Sequence, residues 1–130
     1  MNHKKTLIII DDDPVSNLMG SILFSNFIDN IDIHTFTFPE EGFDFIVSEY
    51  SKEEYNLVVL FLDINMPVMT GWDFLKRFEE LDESLKRKFK IYILSSSIEP
   101  MDMQRAQDNK YVIKFLSKPL AKESILSIFI

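Results

Sequence analysis

The sequence predicts an α/β protein, a five-stranded parallel sheet covered on both faces by helices in a doubly wound arrangement. Three observations predict it. Five short apolar runs have the length and composition of strands, the stretches between them repeat their apolar residues at three and four, and the two patterns alternate along the chain. Parallel strands joined by helical crossovers are covered on both faces, so their apolar residues run on continuously instead of alternating with polar ones.

The first strand is read at Leu7–Ile10 and ends at three successive aspartates, Asp11, Asp12 and Asp13. Asp13 before Pro14 reads as a helix start, because a side-chain oxygen there caps free amides and proline suits the first helical position; a place in the acidic site is the other reading of Asp13. Val15, Leu18, Met19, Ile22, Leu23 and Phe27 supply the apolar stripe of the first helix. A second strand spans Ile31–Phe36, and Phe43, Ile46, Val47 and Tyr50 mark the second helix. The third strand, Leu57–Leu62, precedes a helix marked by Trp72, Leu75, Phe78 and Leu81. A fourth strand at Ile91–Leu94 is followed by a polar, weakly amphipathic helix over Met101–Lys110. The fifth strand is Val112–Leu116, and Ile125, Ile128 and Phe129 face the last of five helices inward.

With 130 residues the chain has the common size of one domain, read as a single unit over 1–130 with no output domain, and its 46% hydrophobic content is that of a globular protein. A net charge of -7 argues against a nucleic-acid-binding surface, which needs clustered Lys and Arg. The one basic run, Lys86, Arg87, Lys88 and Lys90, reads as a solvated helix end. There is no cysteine, which excludes disulfides and thiolate metal sites and suits a reducing compartment. No apolar stretch approaches a membrane span and no signal-peptide core follows the N-terminus, so a cytoplasmic protein is expected. His3 and His34 have no partner at ligand spacing and are read as structural or incidental.

Open parallel sheets bind ligands beyond the carboxyl ends of their strands. Those ends carry Asp11, Asp12 and Asp13 on the first strand, Asp63 on the third, Ser95 on the fourth and Lys118 on the fifth. Crowded carboxylates repel unless a cation or hydrogen-bond donors compensate. A carboxylate cluster, a hydroxyl and an ammonium on one rim would hold a divalent cation together with a phosphoryl group. Magnesium needs only one or two protein carboxylates, and Asp12 and Asp63 could supply them.

The segments LIIIDD at 7–12, DINMPVMTG at 63–71, ILSSS and Lys118-Pro119 together resemble the receiver domain of two-component response regulators, of the stand-alone, chemotaxis-regulator-like kind. The resemblance covers essentially the whole chain. It implies a flavodoxin-like three-layer sandwich with strand order 2-1-3-4-5, Asp63 as phosphoacceptor, and magnesium or manganese as cofactor. It further implies that Asp12, Asp63 and the backbone carbonyl of Asn65 bind the metal, with Asp11 acting through water. Lys118 would pair with the phosphoryl group across a cis bond to Pro119, and Ser95 and Phe115 would form a switch pair. The implied partners are a sensor histidine kinase or histidine phosphotransfer protein, and a downstream protein at the face of the fourth helix, fifth strand and fifth helix. Ser95 stands where the family often has Thr, and Phe115 on composition alone reads as core. Two rivals remain: a receiver-like binding module that is never phosphorylated, and a haloacid-dehalogenase-type phosphatase with Asp11 as nucleophile. The second leaves Asp63 unexplained and has only Glu123 as an acid after the lysine.

Overall fold

The computed structural model describes residues 5–51 and 57–129. Its strands are β1 (Lys5–Ile10), β2 (Ile31–Phe36), β3 (Val58–Leu62), β4 (Phe89–Ser95) and β5 (Val112–Ser117). All pairings are parallel, in the order β2-β1-β3-β4-β5, as expected. The helices are α1 (Pro14–Phe27), α2 (Pro39–Tyr50), α3 (Gly71–Glu79), α4 (Glu83–Lys86), α5 (Pro100–Asp108) and α6 (Lys122–Ile128). The single turn α4 is additional to the five helices predicted, so the predicted fourth and fifth helices are α5 and α6. No helix among the described residues is long and apolar enough to cross a membrane.

Strand pleating divides the interior in two. Leu7 and Ile9 of β1, Val59 and Phe61 of β3 and Leu94 of β4 point to the face covered by α1 and α6, where Phe24, Ile125 and Ile128 meet them. Ile8, Ile10, Leu60, Leu62, Ile91 and Ile93 point the other way, against Phe43 and Ile46 of α2 and Phe74 and Phe78 of α3. The three inner strands are therefore apolar on both sides, while the edge strands β2 and β5 tolerate His34 and Lys114. His34 places Nε2 3.1 Å from Asp32 Oδ2 and packs its ring on Phe45, the structural role expected of it. His3 lies outside the described residues.

Two expectations are corrected. In α1 the apolar stripe read from the sequence is largely in solvent: Val15, Leu18, Met19 and Ile22 are each more than half exposed. The phase of the helix is set instead by Asn17, Gly20 and Phe24. Asn17 and Phe24 are buried, and Gly20 lies so close to the sheet that a Cβ there would stand 3.1 Å from Ile9 Cδ1. The buried face thus runs through an amide and a glycine, neither of which an apolar period detects. In the basic run, Lys88 is not solvated. It is buried, and its ammonium donates to the Tyr50 carbonyl at 2.6 Å, satisfying the last carbonyl of α2.

Candidate phosphoryl and metal site

Because β2 and β3 flank β1 on opposite sides, the strand order reverses between β1 and β3, which opens a crevice beyond their carboxyl ends. The register pairs Ile10 with Leu62, so the next residue of each strand, Asp11 and Asp63, leaves the sheet beside the other. The Asp63 amide continues the ladder by donating to the Ile10 carbonyl at 3.0 Å. Asp11 and Asp63 are buried and Asp12 is exposed, with one carboxylate oxygen of each within 4.8 Å of the others. Asp13 stands apart as the cap of α1, its Oδ1 accepting from the Val15 amide at 3.0 Å.

Lys118 comes to this cluster from the far side. Its amide donates to the Ser95 carbonyl at 2.9 Å, its bond to Pro119 is cis, and its Nζ lies 2.5 Å from Asp11 Oδ2 and 4.0 Å from Asp63 Oδ2. Its nearer partner in this structure is therefore Asp11. Burial pushes the Asp11 carboxyl up, but hydrogen bonds from Lys118, the Asp13 amide and Ser16 outweigh that and hold it below the ordinary aspartate value. Burial also dominates at Asp63. There the Asp11 charge adds to it, and Lys118 and the Asn65 amide compensate only in part, so the carboxyl is raised to about 6. Of the two neighbours, Asp11 keeps its charge and Asp63 takes the proton first.

The remaining predicted residues are Asn65, Ser95 and Phe115. Asn65 is exposed on the loop after β3, with its amide on the Asp63 carboxylate. Ser95 is buried, and its hydroxyl donates to the Ser97 carbonyl at 3.0 Å and accepts from the Ser97 amide at 3.2 Å, so it faces its own turn. Phe115 is half-buried on β5 and packs against the core on the α2–α3 face. Gly71 is needed where α3 begins, because a Cβ would sit 2.6 Å from the Asp63 carbonyl oxygen. Thr70 and Asp73 close a capping box there.

Two residues near the cluster were missed in the sequence. Ser16 hydrogen-bonds Asp11, and Asn17 donates from Nδ2 to the Asp11 carbonyl at 2.9 Å. The sequence carried no clear signal for them, since Ser21, Ser25 and Asn26 make the same helix polar elsewhere. The cluster offers three hard carboxylate oxygens at mutual distances one ion can span, with Asp12 leaving a side open to water and substrate. Those residues fit a divalent cation of the magnesium class.

Residues 7–129 match the response regulator receiver domain family, and the chain belongs to that family. Receiver domains are signalling modules of two-component systems, interact with histidine kinases or phosphotransfer proteins, and typically bind Mg²⁺. The fold is similar to that of a two-component response regulator from Cytophaga hutchinsonii, at a TM-score of 0.86 and 23% identity over 98% of this chain and 96% of that one. A response regulator receiver protein from Dyadobacter fermentans superposes at 0.82 with 22% identity, covering 96% and 98% of the two chains. The chemotaxis protein CheY4 of Vibrio cholerae superposes at 0.72 with 22% identity over 98% and 97%. A search of curated proteins finds no match.

Proposed function

We propose that this chain accepts a phosphoryl group from a phosphohistidine, on a sensor histidine kinase or a histidine phosphotransfer protein, onto Asp63. The observation that carries this reading is the Asp63 carboxylate at the strand switch point, with an acidic pair on one side and a lysine ammonium 4.0 Å away on the other. An Asp63 oxygen attacks phosphorus, the phosphorus–nitrogen bond of the donor breaks, and the electron pair leaves with the imidazole. Little covalent assistance is needed, so the work of the protein is positioning and charge compensation. The Lys118 ammonium, shared between Asp11 and Asp63 before reaction, pairs with the incoming phosphoryl oxygens. Asp12, Asp63 and the Asn65 carbonyl would hold magnesium or manganese, with Asp11 acting through water, and the ion when bound would neutralise charge on the phosphoryl oxygens.

The donor has apolar surface to meet beside the acceptor: Val15 and Met19 of α1 line a groove with Lys118, Pro119 and Leu120. Readout is assigned to the face of α5, β5 and α6. The Ser95 hydroxyl would leave Ser97 for the phosphoryl group, and Phe115, which lines a groove with Met103 and Ile113, would turn into the space released. A phosphatase using Asp11 as nucleophile fits less well, since Asp11 has Oδ1 on the Asp13 amide and Oδ2 on Lys118. The test is intact mass after exposure to a small phosphodonor with magnesium. The wild type should gain one phosphoryl group, and both chelation of the ion and Asp63→Asn should abolish the gain. Unchanged labelling of Asp63→Asn would overturn the assignment.

A further inference from the structure

Asn17 is the fourth residue of α1 and is only 3% exposed. Its Nδ2 donates to two carbonyls at the ends of adjacent strands, Asp11 at 2.9 Å and Phe36 at 3.3 Å. Its Oδ1 is buried with no partner, the one such side-chain atom among the described residues. The orphaned oxygen counts against Asn17 as a device for stability. Asparagine is a poor residue inside a helix, and an amide oxygen shut away from water and from donors destabilises the fold. A leucine, branched at the same carbon, would remove that penalty, though without the hydrogen bonds that Nδ2 donates to the Asp11 and Phe36 carbonyls. Where a residue breaks local rules at the edge of a functional site, the explanation is sought in the site.

The carbonyl that Asn17 holds belongs to the peptide joining Asp11 to Asp12. A peptide is planar, so fixing its oxygen fixes the plane and with it the direction in which the Asp12 side chain leaves the backbone. The Asp11 side chain has holds of its own, from the Asp13 amide at 3.0 Å and from Lys118. Asp12 is exposed, and repulsion from Asp11 and Asp63 favours its turning away into water. We infer that Asn17 is a positioning residue for divalent-cation binding: its carboxamide pins the Asp11–Asp12 peptide so that the carboxylates of Asp11, Asp12 and Asp63 stay within reach of one ion. The inference rests on reading that cluster as the cation site of the proposed function.

The test pairs two variants of different stability. Asn17→Leu fills the site and removes the orphaned oxygen but gives up the hydrogen bonds of Nδ2, so its ion-free melting temperature should exceed that of Asn17→Ala. Asn17→Ala leaves a cavity and should melt lower. Manganese affinity, read from the free-ion paramagnetic resonance signal, should fall by about tenfold in both, the range seen when an outer partner of a metal ligand is lost. Leu18→Ala, on the exposed side of the same helix, should bind as the wild type does. Affinities of both Asn17 variants within about twofold of the wild type would overturn the inference, as would affinity that merely follows melting temperature, or failure of both to fold. If the wild type itself binds no manganese, the cation site falls, and the role of Asn17 falls with it; binding by the wild type that survives in both variants rejects the role of Asn17 alone.

Discussion

The Asp63 carboxyl is raised to about 6 by burial and by the charge of Asp11, and this has a definite consequence for the ion-free protein. Between the unfolded value of 3.8 and about 6 the native state binds more protons than the unfolded state at this group. Its contribution is therefore favourable at low pH and is lost as pH rises through about 6. Asp11, whose value is lowered, acts in the opposite sense and loses its contribution as pH falls through the acid range. Asp63→Asn should accordingly raise the ion-free melting temperature at neutral pH and flatten its decline between pH 5 and 7, by at most about 3 kcal/mol, the worth of two pKa units. Thermal melts of the two proteins across that range check it, and a variant less stable than the wild type at pH 7 would contradict the electrostatic account of the site. Asp11, Asp12, Asp63 and Lys118 were legible in the sequence because each follows a strand, and strand ends of a parallel sheet converge. Asn17 was not, because a backbone carbonyl six residues away leaves no pattern in side-chain types.

At the scale of elements, the inner strands were readable to within a residue or two because β1, β3 and β4 are buried on both faces and need continuous apolar runs. The helices were less so. The exposed residues of α1 out-number its buried apolar ones, and the true inward face passes through Asn17 and Gly20. The attachment of α5 was equally hidden. Ala106 is the one buried residue of that helix, while Met101 is 79% exposed. What ties α5 to its neighbour is Trp72 of α3, whose Nε1 donates to Asp102 at 3.0 Å and whose ring lies under the Arg105 guanidinium at 4.5 Å. Trp72 is also the residue after Gly71, which abuts the Asp63 backbone. As the single tryptophan of the chain, it reports on this junction. Beryllofluoride with magnesium should change Trp72 emission in the wild type. Asp102→Ala should lower stability by about 1 kcal/mol and shift the ion-free spectrum. An emission spectrum unmoved by the phosphate mimic would show that α5 does not respond to the site through α3.

In a molecule of net charge -7, the crevice between β1 and β3 sets three carboxylates against one lysine ammonium. A divalent cation that binds only the native cluster stabilises the fold by RT ln(1 + [L]/Kd), about 2.7 kcal/mol at a hundredfold excess over Kd. Melting temperature should therefore rise with millimolar magnesium and stop rising in Asp12→Ala; an equal rise in that variant would place the ion elsewhere. The fold itself follows from apolar patterning that any doubly wound sheet shares, so the central claim rests on chemistry at one carboxylate. Acyl phosphates are reduced by borohydride to the corresponding alcohol, which marks the residue that carried the phosphoryl group. After reaction with a small phosphodonor and magnesium, followed by borohydride, peptide sequencing should find homoserine at position 63. Homoserine at position 11 or 12 in place of 63, or at none of the three, would contradict the account.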